Sequence, residues 1–157
     1  MFLELIYIYL NFMKTKLLII FLSFLSFSTL AQKDPIERVW FNQPKSSKIQ
    51  IYKAVDGNFY GKIVWLAKTH DEQGLPRVDK NNPIENLKQH PLNGLIILKG
   101  FKKNSNNLVY EDGTIYDPNN GKKYCGKISL GDKILKLRGS ICGFSIFGKS
   151  TEWTLAE

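Results

Sequence analysis

Apolar residues fall first into one unbroken run and then into short alternating ones. Every position from 17 to 30 is apolar or small. Beyond it the period becomes two. Residues 48–55 alternate as Lys48, Ile49, Gln50, Ile51, the pattern of a half-buried strand. Asp56-Gly57 suits a two-residue turn, and 59–66 is the returning strand. That turn sets Tyr52 opposite Gly61 and Gln50 opposite Ile63. Residues 36–41 form a short first strand, and 94–103 is an apolar run opened by Gly94 and interrupted by Gly100. Strands at 108–111 and 114–117 are separated by Asp112-Gly113, and Asn120-Gly121 turns the chain into 122–130. Gly131-Asp132 turns it again into 133–141, with Ile128 expected opposite Leu135. Residues 147–155 close the chain.

This gives eight or nine strands. An open sheet of that width leaves long unpaired edges, and closure removes them. The expected fold is all-β: one antiparallel barrel of about 8–10 strands, with an interior wide enough for side chains or one small ligand. First and last strands are neighbours in such a barrel, so Trp40 and Trp153 should meet at one end. The segment 67–93 breaks the pattern with Pro76, Pro83 and Pro91. Asn82 before Pro83, with Glu85 in the first turn, starts a short helix over about 83–89. That helix should lay Ile84 and Leu87 across one end of the sheet.

The apolar run at 17–30 belongs to a different category. Met13, Lys14 and Lys16 precede it, and Thr29-Leu30-Ala31 is a small-x-small cleavage site, so the order is that of a secretory signal peptide cut after Ala31. Fourteen helical residues reach about 21 Å, short of the roughly 30 Å hydrocarbon core, so no stable membrane insertion is expected after cleavage. Gln32 rules out a lipid-modified cysteine at this site. Residues 1–12 lack a basic residue, which makes Met13 the better start. The expected organisation is a leader over 1–31 and a barrel domain over 32–157, secreted or periplasmic.

Without Lys14, Lys16 and Glu4 the chain keeps 20 basic and 13 acidic residues, net +7. The lysines are scattered rather than blocked, so this charge reads as solubility and no nucleic-acid partner is expected. Cys125 and Cys142 are the only cysteines. The expected register separates their Cα atoms by about 13 Å, beyond the roughly 7 Å a disulfide spans. Free thiols are therefore expected, unless a bulge near Gly139 or Gly143 closes the gap.

His70 and His90 lie in the long loop with Asp71, Glu72 and Asp79 at no metal-ligand spacing, so no metal is expected. Glu111, Asp112 and Asp117 occupy turn positions where acidic residues serve the backbone. No nucleophile motif or phosphate loop is present, so neither an enzyme nor a cofactor is expected.

The blocks Gly61-Lys-Ile-Val-Trp-Leu66, Asp79-Lys-Asn-Asn-Pro83, Gly94-Leu-Ile-Ile-Leu-Lys-Gly-Phe101, Gly113-Thr-Ile-Tyr-Asp-Pro118 and Leu135-Lys-Leu-Arg-Gly139, with Trp40 and Trp153, resemble a family of small secreted bacterial proteins known as a domain of unknown function. The resemblance covers nearly all of 36–154. It implies a lipocalin-like β-barrel in the periplasm or outside the cell, with no established activity. Arg38 stands where that family usually has glycine, and Lys149 and Leu155 where it has arginine. In lipocalin-like barrels a late arginine packs on the first-strand tryptophan. Here Arg38 or Lys149 would have to supply that cation.

Aromatic residues occur on every expected strand. The leading expectation is a pocket for a small hydrophobic or amphipathic ligand, lined by Trp40, Tyr52, Trp65, Phe101, Tyr116, Tyr124, Phe147 and Trp153. The alternative is a solid barrel acting as a cell-envelope interaction module for a polyanionic glycan or a protein partner.

Overall fold

The alternating stretches become eight strands: β1 (Val39–Phe41), β2 (Ser47–Lys53), β3 (Phe59–Leu66), β4 (Ile96–Lys103), β5 (Val109–Asp117), β6 (Lys122–Leu130), β7 (Ile134–Ile141) and β8 (Phe144–Leu155). The computed structural model describes residues 2–24, 33–105 and 108–156. Each strand pairs antiparallel with the next. β8 returns to β1 through Trp40 opposite Leu155 and Phe41 opposite Thr154, which closes an eight-stranded barrel. All strands, their pairings and the core lie within Asp34–Glu157, so the barrel is self-contained. The preceding unit, Met1–Lys33, carries a helix α1 (Phe2–Phe24) that passes through Met13 without a break. The cleavage site expected after Ala31 lies outside the described residues. Among the described residues no helix is long and apolar enough to cross a membrane.

The period-2 alternation sets the faces. Ile49 and Ile51 on β2 point inward, and Gln50 and Tyr52 point outward. β3 follows the same rule until Val64. There a bulge places Lys48 opposite Trp65 but Ile49 opposite Ile63. The extra residue inverts the parity, so Leu66 turns inward and Trp65 outward.

Three expected turns differ. The Asp56-Gly57 hairpin turns over more residues than two, with Lys53 opposite Phe59, so Tyr52 opposes Tyr60 rather than Gly61. Asp112-Gly113 is not a hairpin turn. β5 runs straight through it as a bulge, with Asp112 at φ 63° and Gly113 opposite Gly126. The β6–β7 turn is also longer, which pairs Leu130 with Leu135 and Ile128 with Leu137. A two-residue shift keeps the inward face and changes every neighbour.

That shift overturns the expectation of free thiols. Cys125 now opposes Ser140, so Cys142 is two residues away rather than four. Its Cα lies 5.0 Å from that of Cys125, and the two are bonded. The bridge closes a separation of 17 residues. Removing it should cost about 3 kcal/mol by loop-closure entropy. Urea unfolding of the Cys125→Ser/Cys142→Ser variant beside the oxidised parent measures this; equal midpoints would contradict it.

The expected helix over 83–89 shrinks to one 3-10 turn, Glu85–Leu87. Asn82 is not its cap: the residue before the turn is Ile84, with no side-chain cap, and the Asn82 Oδ1 accepts from the Ile84 backbone at 2.9 Å in a separate local turn. Ile84 is 53% exposed, and the buried apolar anchor of this loop is Leu92.

Candidate ligand site

The two ends of the barrel are built differently. At one end residues 34–38 fold across the opening. Ile36 is fully buried, and the Trp40 indole N–H donates to its carbonyl at 3.1 Å. Among the described residues neither Arg38 nor Lys149 lies over the Trp40 ring, and the indole is held instead by this hydrogen bond. Asp34 accepts from the Tyr110 hydroxyl and pairs with Lys103 at 2.6 Å. Burial works against the Asp34 carboxylate, but these hydrogen bonds outweigh it and hold its pKa below 3.8. Phe59, Phe101, Ile128 and Leu135 fill the space beneath, so this half is a packed core.

The other half opens to the outside, over the continuation of the same core. A cavity of about 1190 Å³ opens between the β1–β2, β5–β6 and β7–β8 connections. Its wall is apolar, formed by Ile49, Ile63, Ile97, Ile115, Leu137 and Trp153. Its rim carries polar groups: Tyr116, Tyr124, Asn119, Asn120 and Ser140. The Asn120 amide donates to the Tyr124 hydroxyl at 3.1 Å and to Asp117 at 3.0 Å, which orients both rim groups. An apolar wall under a ring of hydroxyls and amides suits a molecule with a hydrophobic body and a polar end.

The structure divides the eight expected lining residues. Trp153, Tyr116 and Tyr124 line the cavity. Trp40 and Phe101 are inside the barrel but belong to the packed half. Tyr52 and Trp65 are on the outer surface. Tyr52 stacks on Tyr60 with ring centres 6.0 Å apart, and Trp65, 41% exposed, meets the Phe41 ring with Lys48 alongside. Phe147 stands at the mouth and is 70% exposed. The bulge at Val64 accounts for Trp65; the alternation of β2 accounts for Tyr52. The aliphatic residues Ile49, Ile63 and Leu137 are legible from alternation alone and not from aromatic content.

One polar residue inside the fold was also missed. Asp79, in the β3–β4 loop, is fully buried. Its carboxylate accepts from the Tyr116 hydroxyl at 2.8 Å and from the Asn82 amide at 2.7 Å. Next to it the Asn81 amide donates to the carbonyls of Pro118 and Asn119. Gly121 has φ 69°, and a Cβ there would lie 1.9 Å from the Asn81 carbonyl oxygen. The loop is thus clamped to the β5–β6 turn beside the mouth. Burial, then the bond to Asp79, pushes the Tyr116 phenol from 10.0 up to about 12. A phenol raised in the folded state contributes stability that is whole below about pH 10 and lost as pH climbs toward 12. Tyr116→Phe should lower stability at neutral pH by about 1–3 kcal/mol, because Asp79 loses a donor. It should also flatten the alkaline fall between about pH 10 and 12. Thermal melts across that range check both; an unaltered alkaline slope would contradict the clamp.

Comparison with known proteins agrees with this architecture. The family model described as "Uncharacterized protein conserved in bacteria (DUF2147)" matches residues 39–155. No curated protein matches the chain. A solved structure, described as protein HP1028 from the human pathogen Helicobacter pylori and as belonging to the lipocalin family, superposes with a TM-score of 0.65. It is 22% identical, over 78% of this chain and 83% of that one, a likeness of fold.

Proposed function

This chain belongs to that bacterial family, and on that premise we propose that it is a secreted or periplasmic lipocalin-like protein that binds one small hydrophobic or amphipathic molecule inside its barrel. The cavity of about 1190 Å³ carries the reading. Ligand pockets run to about 300–1,000 Å³, and this open cleft exceeds that range, so it has room for a drug-sized or short lipid-like molecule with space left at the mouth. Its wall contributes apolar contact, worth roughly 25 cal/mol per Å² removed from water. The rim hydroxyl of Tyr124 and the Asn119 side chain would orient the polar end. Export is supported by the leader pattern at 13–31 and by the Cys125–Cys142 bridge, since such bonds persist in oxidising compartments.

Native mass spectrometry of the protein purified from its own host tests the proposal. The expected spectrum contains one copurifying small molecule per chain, lost on denaturation. A mass equal to the bare polypeptide in every preparation, from cells and from culture medium, would count against it.

A further inference from the structure

The β7–β8 hairpin ends in a cluster of apolar side chains that nothing in the barrel covers. Ile141 is 57% exposed, Phe144 65%, Ile146 85% and Phe147 70%. Scattered apolar residues on a surface are ordinary, but four within seven positions on one hairpin tip are a patch. The tip is also held in place. The Cys125–Cys142 bridge ties its turn to β6, so these side chains are fixed at the end of the wall beside the cavity mouth.

The charge around it selects what the tip meets. Alternating connections put the β1–β2, β3–β4 and β5–β6 loops at this same end of the barrel. Lys45 lies in the first, Lys122 and Lys123 leave the third, and Lys149 follows Phe147 on β8; all four are exposed. Near them Asp117 stands opposite Lys122 and offsets one of these charges, which leaves the lysines in excess. Within the β3–β4 loop Lys68, Arg77, Lys80 and Lys88 are matched by Asp71, Glu72, Asp79 and Glu85. The rim next to the tip is therefore positive. Apolar side chains projecting from a basic rim fit the boundary of an anionic bilayer, where rings and aliphatics enter the headgroup region and lysines meet phosphate. A second copy of this chain fits poorly, because two such tips would bring eight lysines together.

We propose that the β7–β8 tip, through Phe144 and Ile146 with Lys122 and Lys149, docks the open end of the barrel onto an anionic lipid bilayer. The docking does not require the cavity to be occupied, so it stands apart from the ligand reading.

Co-sedimentation of residues 32–157 with vesicles tests it, using phosphatidylcholine alone and phosphatidylcholine containing about one third phosphatidylglycerol. Binding is expected to the second vesicle only, and to weaken in about 0.5 M NaCl. Phe144→Glu/Ile146→Glu should lower partitioning about tenfold or more with an unchanged melting temperature. Should that variant unfold, Lys122→Glu/Lys149→Glu should weaken binding comparably while leaving the apolar tip intact. The proposal is overturned by absent vesicle binding, by binding that neither variant changes, or by full competition from millimolar inorganic phosphate, which would indicate a free-anion site. A dimer lost in the Phe144→Glu/Ile146→Glu variant, without vesicle binding, would assign the tip to self-association and overturn it equally.

Discussion

Trp40→Ala and Trp153→Ala should each destabilise the barrel by about 3–5 kcal/mol, and the double variant by clearly less than the sum. The two residues are 113 positions apart in the chain and occupy the strands whose pairing closes the sheet. Trp40 opposes Leu155, and Trp153 lies two residues back on the same inner face; both belong to one core. The indoles do not stack, since the ring pairs among the described residues are Phe41–Trp65, Tyr52–Tyr60 and Phe59–Tyr110. Their coupling instead comes from the seam, where β1 contributes only three residues. Loss of either ring loosens that short pairing, so the second loss removes less. Urea unfolding of the four proteins of the cycle measures the coupling. Additive losses would mean the seam is held independently of these rings.

A second large effect concerns Phe101. Its ring lies over Gly113 and Gly126, which face each other across β5 and β6. A Cβ added at Gly113 would sit 2.4 Å from a Phe101 ring carbon, and one at Gly126 2.5 Å away. Neither distance is tolerable, and the ring is fully buried with nowhere to move. Phe101→Ala should cost about 3–5 kcal/mol through the void it leaves. Gly126→Ala should cost about 1–3 kcal/mol by overpacking. Combining Phe101→Leu with Gly126→Ala should lose less than the separate changes, because the smaller side chain vacates the space the methyl needs. Chemical denaturation of this series checks the sign of the coupling. A double variant as damaged as the sum would mean that the ring does not occupy that space.

The inner face of the barrel is legible in the sequence, and its register less so. The alternation of Ile49 with Ile51 and of Leu135 with Leu137 places the inner face, because side-chain direction in a strand is a local property. The strand count gives closure by eliminating exposed edges. Register is less legible. Asp56-Gly57 and Gly131-Asp132 mark where the chain turns but not over how many residues, and a two-residue error in the second hid the disulfide. Asp112-Gly113 has the composition of a turn, and it becomes a bulge because Phe101, from a different strand, needs a glycine beneath it. Trp65 faces outward because one extra residue, Val64, inverts the parity after it. The burial of Asp79 depends on Tyr116, 37 residues away, and no local pattern encodes that meeting. The candidate site follows the same division. Its aliphatic wall was readable from alternation, while the position of the cavity in one half of the barrel depends on residues 34–38 folding across the other.

Titration with an uncharged apolar fluorophore such as N-phenyl-1-naphthylamine reads ligand binding at the open half of the barrel. Phe147 stands at the mouth and is 70% exposed, so Phe147→Glu puts a charge at the entrance without disturbing the core. Saturable fluorescence enhancement at one probe per chain is expected, with an affinity about tenfold lower in Phe147→Glu and an unchanged melting temperature. No enhancement in the parent, or equal binding by both proteins, would contradict binding there.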